Sequence, residues 1–398
     1  MIPRALEATL RRVAGPFPVV FLTGPRQSGK TTLARATFPT FDYVSLEDVQ
    51  TRQEALDDPR GFLRRFEGKA GAIFDEAQRA PDLFSYLQGF VDDRRGGPVI
   101  LTGSQNFLLS RAIGQSLAGR VAVLELHPFS IAELLRRPSP GPVALTAPIL
   151  PAGAPPPWTL DEALYRGFFP PIHDRDLPPT LWYDGYVRTY LERDVRLVGG
   201  VGDLDAFLRF LRLSAGRTGQ LLNVSSLAGD AGVSHTTAAS WLSILRASYV
   251  LDLLPPHFQN FSKRLVKSPK LHFLDPGLAA YLLGIRGADD LRTHPLRGAL
   301  FETFVVSELR KLFRHHGETP PLYHWRDSQG HEVDVLVDLG SRRIPVEVKG
   351  GMTISSDMLA GLEYYRKLTA SEQGLLVYGG DESYERSGHG VRPWWGVG

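Results

Sequence analysis

Gly24-Pro25-Arg26-Gln27-Ser28-Gly29-Lys30-Thr31 has the spacing G-x-x-x-x-G-K-[ST], set between the apolar run FPVVFL and a helix-like segment from Thr31 to Phe38. Glycines so placed let backbone N–H groups curl around phosphates at a helix N-terminus. Lys30 supplies a cation for the outer phosphates, and the Thr31 hydroxyl can ligate Mg²⁺. A plain glycine-rich turn is the competing explanation, and the strand-loop-helix context argues against it. Gly24 to Thr31, with Thr32 beside them, are therefore the candidate ATP-binding residues. The run Ala72-Ile73-Phe74-Asp75-Glu76 ends an apolar strand in two acids. Asp75 would hold the magnesium shell and Glu76 would polarise an attacking water, which marks a hydrolase rather than a kinase. Ile100 to Gln105 ends another apolar run, where Ser104 and Gln105 could read a γ-phosphate or simply leave a strand.

A second charged pattern lies at HEVDVLVDLGSRRIPVEVKG, residues 331–350. Both halves alternate with the two-residue period of a half-buried strand, and the turn falls at Leu339-Gly340-Ser341-Arg342. With Gly340 at positive φ, the two-residue turn sets Asp334 opposite Glu347 and Glu332 opposite Lys349. The opposed carboxylates would lie about 4.5–5.5 Å apart at Cβ. A solvated salt-bridge ladder accounts for Glu332 with Lys349 but makes Asp334 opposite Glu347 a cost, which a divalent cation would remove. A one-residue slip removes the opposition, so both readings stay open.

These residues need elements to place them. FPVVFLTG, AGAIFDEA and PVILTGSQ alternate with helix-like segments, the rhythm of a parallel sheet covered by helices. PSPGPVALTAPILPAGAPPPW, residues 138–158, breaks helix and sheet alike and predicts a flexible or extended connector, followed by helical segments to about Leu204. A long helix from near Leu300 precedes the hairpin, and another follows over Ser355 to Leu368. With 398 residues, 43% of them apolar, two or three domains are expected. A formal charge of +2 neither demands nor excludes a polyanionic partner. The absence of cysteine rules out disulfides, thiolate zinc sites and cysteine nucleophiles, and fits a cytoplasmic chain. The N-terminus lacks an apolar signal core and no stretch is long enough to span a bilayer, so no membrane association is expected.

Asn223 to Leu253 reads as a short helix, a turn at Gly232 and a helix capped by Ser234, with apolar residues at Ala238, Trp241, Leu242 and Leu245. The basic stretch Phe258 to Leu271 follows as a wing would, with Lys263, Arg264, Lys267 and Lys270. His235, Thr236 and Thr237, together with Lys263, Arg264 and Lys267, are the candidate DNA contacts, to phosphates more than to base edges. The same outline also serves as a packing or protein-binding module.

GPRQSGKTT, YVSLED, AIFDEAQ, ILTGSQN and SLAGRVAVLELHPFS, in order over residues 1–137, resemble the ATPase core of the AAA+ superfamily, in the group whose C-terminal half is a domain of unknown function. FFP, YLERDV, TGQLLNVSSLA, SPKLHFLDPGLAAYLLG and LFETFVVSEL extend the resemblance. It implies ATP and Mg²⁺ as cofactors and a homo-oligomer in which an arginine of one subunit completes the next subunit's site. Arg120 in SLAGR is the best-placed candidate and Arg111 the alternative; either could be structural. The final module resembles the PD-(D/E)xK nuclease fold, in which a helix acid, a strand Asp and an E-x-K form one site. That resemblance points to Glu302, Asp334 and Glu347 as metal ligands and to Lys349 as the group that orients water.

The expected architecture is α/β: an AAA+ P-loop parallel-sheet ATPase domain over 1–137, a Pro-rich connector and helical lid over 138–204, a winged-helix domain over 205–290, a restriction-endonuclease-like domain over 291–385, and a loose tail over 386–398. The leading functional expectation is ATP hydrolysis coupled to remodelling or cleavage of nucleic acid. The alternative is a nucleotide-controlled DNA- or protein-binding switch with an inactive nuclease-like scaffold.

Overall fold

The computed structural model describes residues 2–104, 117–147, 153–191, 202–257, 266–369 and 373–397. It forms two compact units, Met1–Phe129 with Arg314–Glu318, and Ser130–Phe313 with Thr319–Gly398.

In the first unit the strands are Val19–Thr23 (β1), Asp42–Ser45 (β2), Ala72–Asp75 (β3), Val99–Thr102 (β4) and Val121–Glu125 (β5). They form one parallel sheet of order β2-β3-β4-β1-β5. β1, β3 and β4 are buried along their whole length, because helices cover both faces. On one face, Val20, Leu22, Ile73 and Ile100 pack with Leu6 and Leu10 of helix α1 (Leu6–Val13) and Leu33 of α2 (Lys30–Thr37). On the other, Val19, Phe21, Phe74 and Leu101 pack with Ala55 of α3 (Val49–Asp57), Phe62 of α4 (Pro59–Arg64) and Leu87 of α5 (Leu83–Asp92). Burying each of the Val, Leu, Ile and Phe side chains contributes about 1.5–3 kcal/mol. The chain turns polar where the strands end, at Thr23, Asp75 and Thr102, and the carboxyl edge of such a sheet is where ligands bind.

The second unit contains helices α6 (Leu204–Ala215), α7 (Val224–Ala231) and α8 (His235–Ala247). Gly232, at φ +73°, ends α7 in the left-handed conformation that glycine tolerates best, and the Ser234 side chain accepts from Thr237 N–H to start α8. Trp241 meets Phe207 and Phe210 edge-on at 5.3 and 5.4 Å. An antiparallel sheet of order β6-β8-β7 follows, from Gln220–Leu221 (β6), Leu251–Leu254 (β7) and Lys270–Phe273 (β8).

Helix α9 (Arg297–His315) leads into a mixed sheet of order β13-β14-β12-β11-β10-β9. Its strands are Leu322–Arg326 (β9), Glu332–Asp338 (β10), Arg343–Lys349 (β11), Leu375–Tyr378 (β12), Tyr384–Arg386 (β13) and His389–Pro393 (β14), with α10 (Ala360–Thr369) between β11 and β12. The hairpin register is the expected one: Val335 faces Val346 and Asp338 faces Arg343, with Gly340 at φ +81° in the turn.

The chain end is not a loose tail. β14 lies between β12 and β13, and Trp394 and Trp395 are buried, because the indoles fill the core beside Phe304. Nor is the Pro-rich stretch a free connector where it is described. Pro142–Thr146 forms a 3₁₀ turn with Leu145 buried, and Arg392 Nη2 donates to Ala144 O and Ala147 O at 2.9 and 2.6 Å. The second unit also begins earlier than residue 138. Ser130 and Glu133 form a capping box, and Ile131 N–H donates to buried Glu308 of α9, which commits this segment to the second unit.

Candidate nucleotide site and carboxylate cluster

The loop between β1 and α2 runs against backbone on its first residue. A side chain at Gly24, whose φ is +141°, would put Cβ 2.2 Å from Leu126 O. Gln27 and Gly29 also have positive φ, at 63° and 93°. Arg4 braces the loop, donating from Nη1 to Ser28 O at 2.7 Å and from Nη2 to His127 O at 2.6 Å. Lys30 is buried and its Nζ donates to Gly24 O at 3.1 Å and Pro25 O at 2.7 Å, so the ammonium sits inside the curl of the loop. Pro25 is buried, Arg26 half-buried, and Gln27 and Thr32 exposed.

At the edge of β3, Asp75 collects three hydroxyls. Thr31 Oγ1 donates to Oδ1 at 2.8 Å, Tyr43 OH donates to Oδ2 at 3.0 Å, and Thr102 Oγ1 also donates to Oδ1. Burial, and then the Asp75 charge, raise the Tyr43 phenol above its ordinary range, so it stays a donor. Glu76 follows at φ +55°, an uncommon conformation for a non-glycine residue, and accepts from Gln78 Nε2. Ser28 Oγ and Ser104 Oγ are buried without a hydrogen-bond partner among the described residues. A polyphosphate fits this set: a backbone curl, an ammonium and two orphaned hydroxyls, with Thr31 and Asp75 as hard oxygen donors for Mg²⁺. Gln105 and Arg111 lie outside the described residues. Arg120 makes a two-point ion pair with Asp92 of α5 at 2.6 and 2.9 Å, near the surface.

One substitution tests the loop's close approach. Gly24→Ala is expected to weaken nucleotide binding by about tenfold or more, equivalent to at least ~1.4 kcal/mol, because its Cβ displaces the loop from Leu126. A fluorescent-nucleotide titration measures it, and unchanged affinity would show that the curl is not the binding element.

The second set of charges is built differently from the expectation. Glu302 of α9, Glu332 and Asp334 of β10 and Glu347 of β11 do come together. Among them sits Lys270 of β8, almost fully buried, with Nζ 2.8 Å from Glu302 Oε1, in contact with Glu332 Oε1, and 3.8 Å from Asp334 Oδ1. Lys349 Nζ lies 2.5 Å from Glu347 Oε1 and 3.7 Å from Asp334 Oδ2. Glu332 therefore pairs with Lys270 and with Arg326 at 3.3 Å, not with Lys349 across the hairpin. Asp334 Oδ2 accepts from Val348 N–H at 2.9 Å.

Burial, and then the Asp334 charge, push Glu302 up to about 8 and Glu347 up to about 7. Burial opposes the charge on Lys270, but Glu302, Asp334 and Glu332 outweigh it and hold the ammonium protonated. Two of the three carboxylates expected to hold a divalent ion, Glu302 and Asp334, thus share the Lys270 ammonium with Glu332, while the third, Glu347, pairs with Lys349. Among the described residues, no group of three or more His, Asp and Glu side chains is arranged to hold a metal ion. Lys270 is accordingly no part of a DNA-facing wing. Lys267 and, in the first turn of α8, His235 and Thr236 are exposed and Thr237 is half-buried; Lys263 and Arg264 lie outside the described residues.

Residues 16–135 match the family described as AAA domain, residues 157–289 a domain of unknown function (DUF8612), and residues 297–395 a second one (DUF4143). Uncharacterized proteins of Mycobacterium tuberculosis and Mycobacterium bovis are each 36% identical over 369 residues, covering 90% of this chain and 77% of theirs. The chain belongs to their family. Among solved structures it is similar to a Walker-type ATPase of Pyrococcus abyssi, at 17% identity over 71% of this chain and 96% of that one, TM-score 0.43. It is also similar to the RuvB Holliday junction branch migration motor of Thermotoga maritima, at 20% identity over 63% and 86%, TM-score 0.30.

This member of the family carries an AAA domain in its first unit, and that domain binds and hydrolyses ATP. Among the described residues no helix is long and apolar enough to cross a membrane. Sequence reasoning about the family's site missed Arg4, Tyr43 and Thr102. Thr102 could have been found, since it ends an apolar strand just before Ser104. Arg4 reaches the loop from 24 residues away, and no local pattern signals it.

Proposed function

We propose that the chain is a cytoplasmic, Mg²⁺-dependent, nucleotide-controlled switch. ATP binding and hydrolysis in the AAA domain set the affinity of a winged helix, residues 205–290, for DNA. The restriction-endonuclease-like module from residue 291, whose sheet β14 completes, serves as a platform and not as a cutting centre. The observation that carries this reading is Lys270, whose ammonium sits among Glu302, Glu332 and Asp334. Phosphodiester cleavage by metal ions needs carboxylate oxygens turned to the metal, and here one oxygen each of Glu302, Glu332 and Asp334 is turned to the Lys270 ammonium.

In the AAA domain, Gly24 to Thr32 would cradle the phosphates, with Lys30 on the outer ones. Thr31 and Asp75 would hold Mg²⁺, Glu76 would polarise the water, and Ser104 would meet the γ-phosphate. His235, Thr236, Thr237 and Lys267 would meet DNA phosphates. Measuring the anisotropy of a labelled duplex with ATP and with ADP tests the switch: one nucleotide state should bind tighter, with affinity falling as salt rises. If neither duplex nor single strand binds in any nucleotide state at low salt, the partner is a protein. Mg²⁺-dependent DNA degradation that Glu347→Gln removes would return the module to a cutting role.

Arg120 would complete a neighbouring subunit's site in a homo-oligomer. Its present ion pair is exposed, and such pairs hold little, so the arginine can be redirected. Arg120→Ala is expected to lower ATP turnover by about 10³-fold or more while leaving the melting temperature nearly unchanged. Unchanged turnover would leave Arg120 a structural arginine.

A further inference from the structure

The carboxylate cluster carries more than the absence of cutting. Its cation comes from β8, the middle strand of the three-stranded sheet, while its carboxylates come from α9, β10 and β11. The position of β8 is determined on every side. β6 and β7 pair with it, Leu222 N–H donates to Pro269 O at 2.8 Å, and His324 Nε2 of β9 donates to Ser268 O at 3.0 Å. The backbone that carries Lys270 is therefore held beside the cage. Three oxygens surround it at hydrogen-bonding or ion-pair distance, the kind of cage a hard cation takes, and a divalent ion beside a tethered ammonium would be repelled.

We propose that Lys270 is the built-in cation of this cage: its ammonium satisfies Glu302, Glu332 and Asp334 without a divalent ion, and fastens β8 to β10 and α9. This rests on the scaffold reading above and gives it a cause. Removing the ammonium should open a metal site that the native protein lacks.

The probe is Mn²⁺ alone, followed by electron paramagnetic resonance on the full chain without nucleotide. The Mn²⁺ isotherm of the native protein should be unchanged by Glu347→Gln. Lys270→Met should bind one further Mn²⁺ per chain, lost again in Lys270→Met with Glu302→Gln. A native Mn²⁺ site that Glu347→Gln abolishes overturns the proposal, as does a folded Lys270→Met chain that gains no site. Should Lys270→Met fail to fold, Lys270→Arg decides with the native isotherm: a folded arginine variant of unchanged Mn²⁺ binding supports a cation requirement, and its unfolding argues against it. DNA cutting by the native protein would sink the scaffold reading itself, whereas a folded Lys270→Met chain without added Mn²⁺ sinks only the built-in cation.

Discussion

Lys30→Ala is expected to reduce ATP turnover by at least ~10²–10³-fold, the usual loss when a positioned donor to a charge-developing group is removed. The side chain starts α2 and its ammonium lies inside the loop, against Gly24 O and Pro25 O. Both of these acceptors are backbone carbonyls of the loop itself, so the chain should still melt cooperatively. A coupled phosphate-release assay beside a thermal melt separates the two. Turnover within about tenfold of the native protein, with the fold intact, would exclude this loop as the hydrolytic site.

Lys270→Met should destabilise the second unit by up to about 3–5 kcal/mol at pH 8, because it leaves the half-buried Glu302, Glu332 and Asp334 without their shared cation. The cost should shrink toward pH 5.5. Glu302 and Glu347 titrate near 8 and 7 in the fold, against an ordinary 4.5 in the unfolded chain. Between about pH 4.5 and 8 the folded state binds more protons than the unfolded one, so their contribution to stability is complete below 4.5 and is lost as pH rises through 7 and 8. Taking away the ammonium removes a charge that lowers Glu302, so that carboxyl rises further and steepens the loss. Urea melts of the native and variant chains at pH 5.5 and pH 8 measure it. A difference below about 1 kcal/mol at pH 8 would mean that the ammonium does not hold the cluster.

The parts of the molecule legible in the sequence are those with a local cause. The nucleotide loop follows from glycine spacing between a strand and a helix. The β10–β11 register follows from the alternation of Val333, Val335 and Val337 and from Gly340 in the turn. The parallel sheet follows from apolar runs that end in polar residues. What stayed hidden depends on distant partners. Lys270 read as surface charge because its carboxylates are 32 and more residues away, and no spacing rule links them. The chain end read as loose because glycine, proline and charged residues crowd there, while its role as a strand is set by β12 and β13 on either side.

That arrangement of β14 bears on how the second unit is made. Among the described residues β13 pairs only with β14, and β12 meets β14 in parallel, so that side of the sheet cannot close while residues 389–393 are still inside the ribosome. Until Trp394 and Trp395 emerge, the face beside Phe304 stays open to water. Until then β12 is a bare edge of the kind that pairs with other chains, so the sheet is protected only once residues 389–395 have been made.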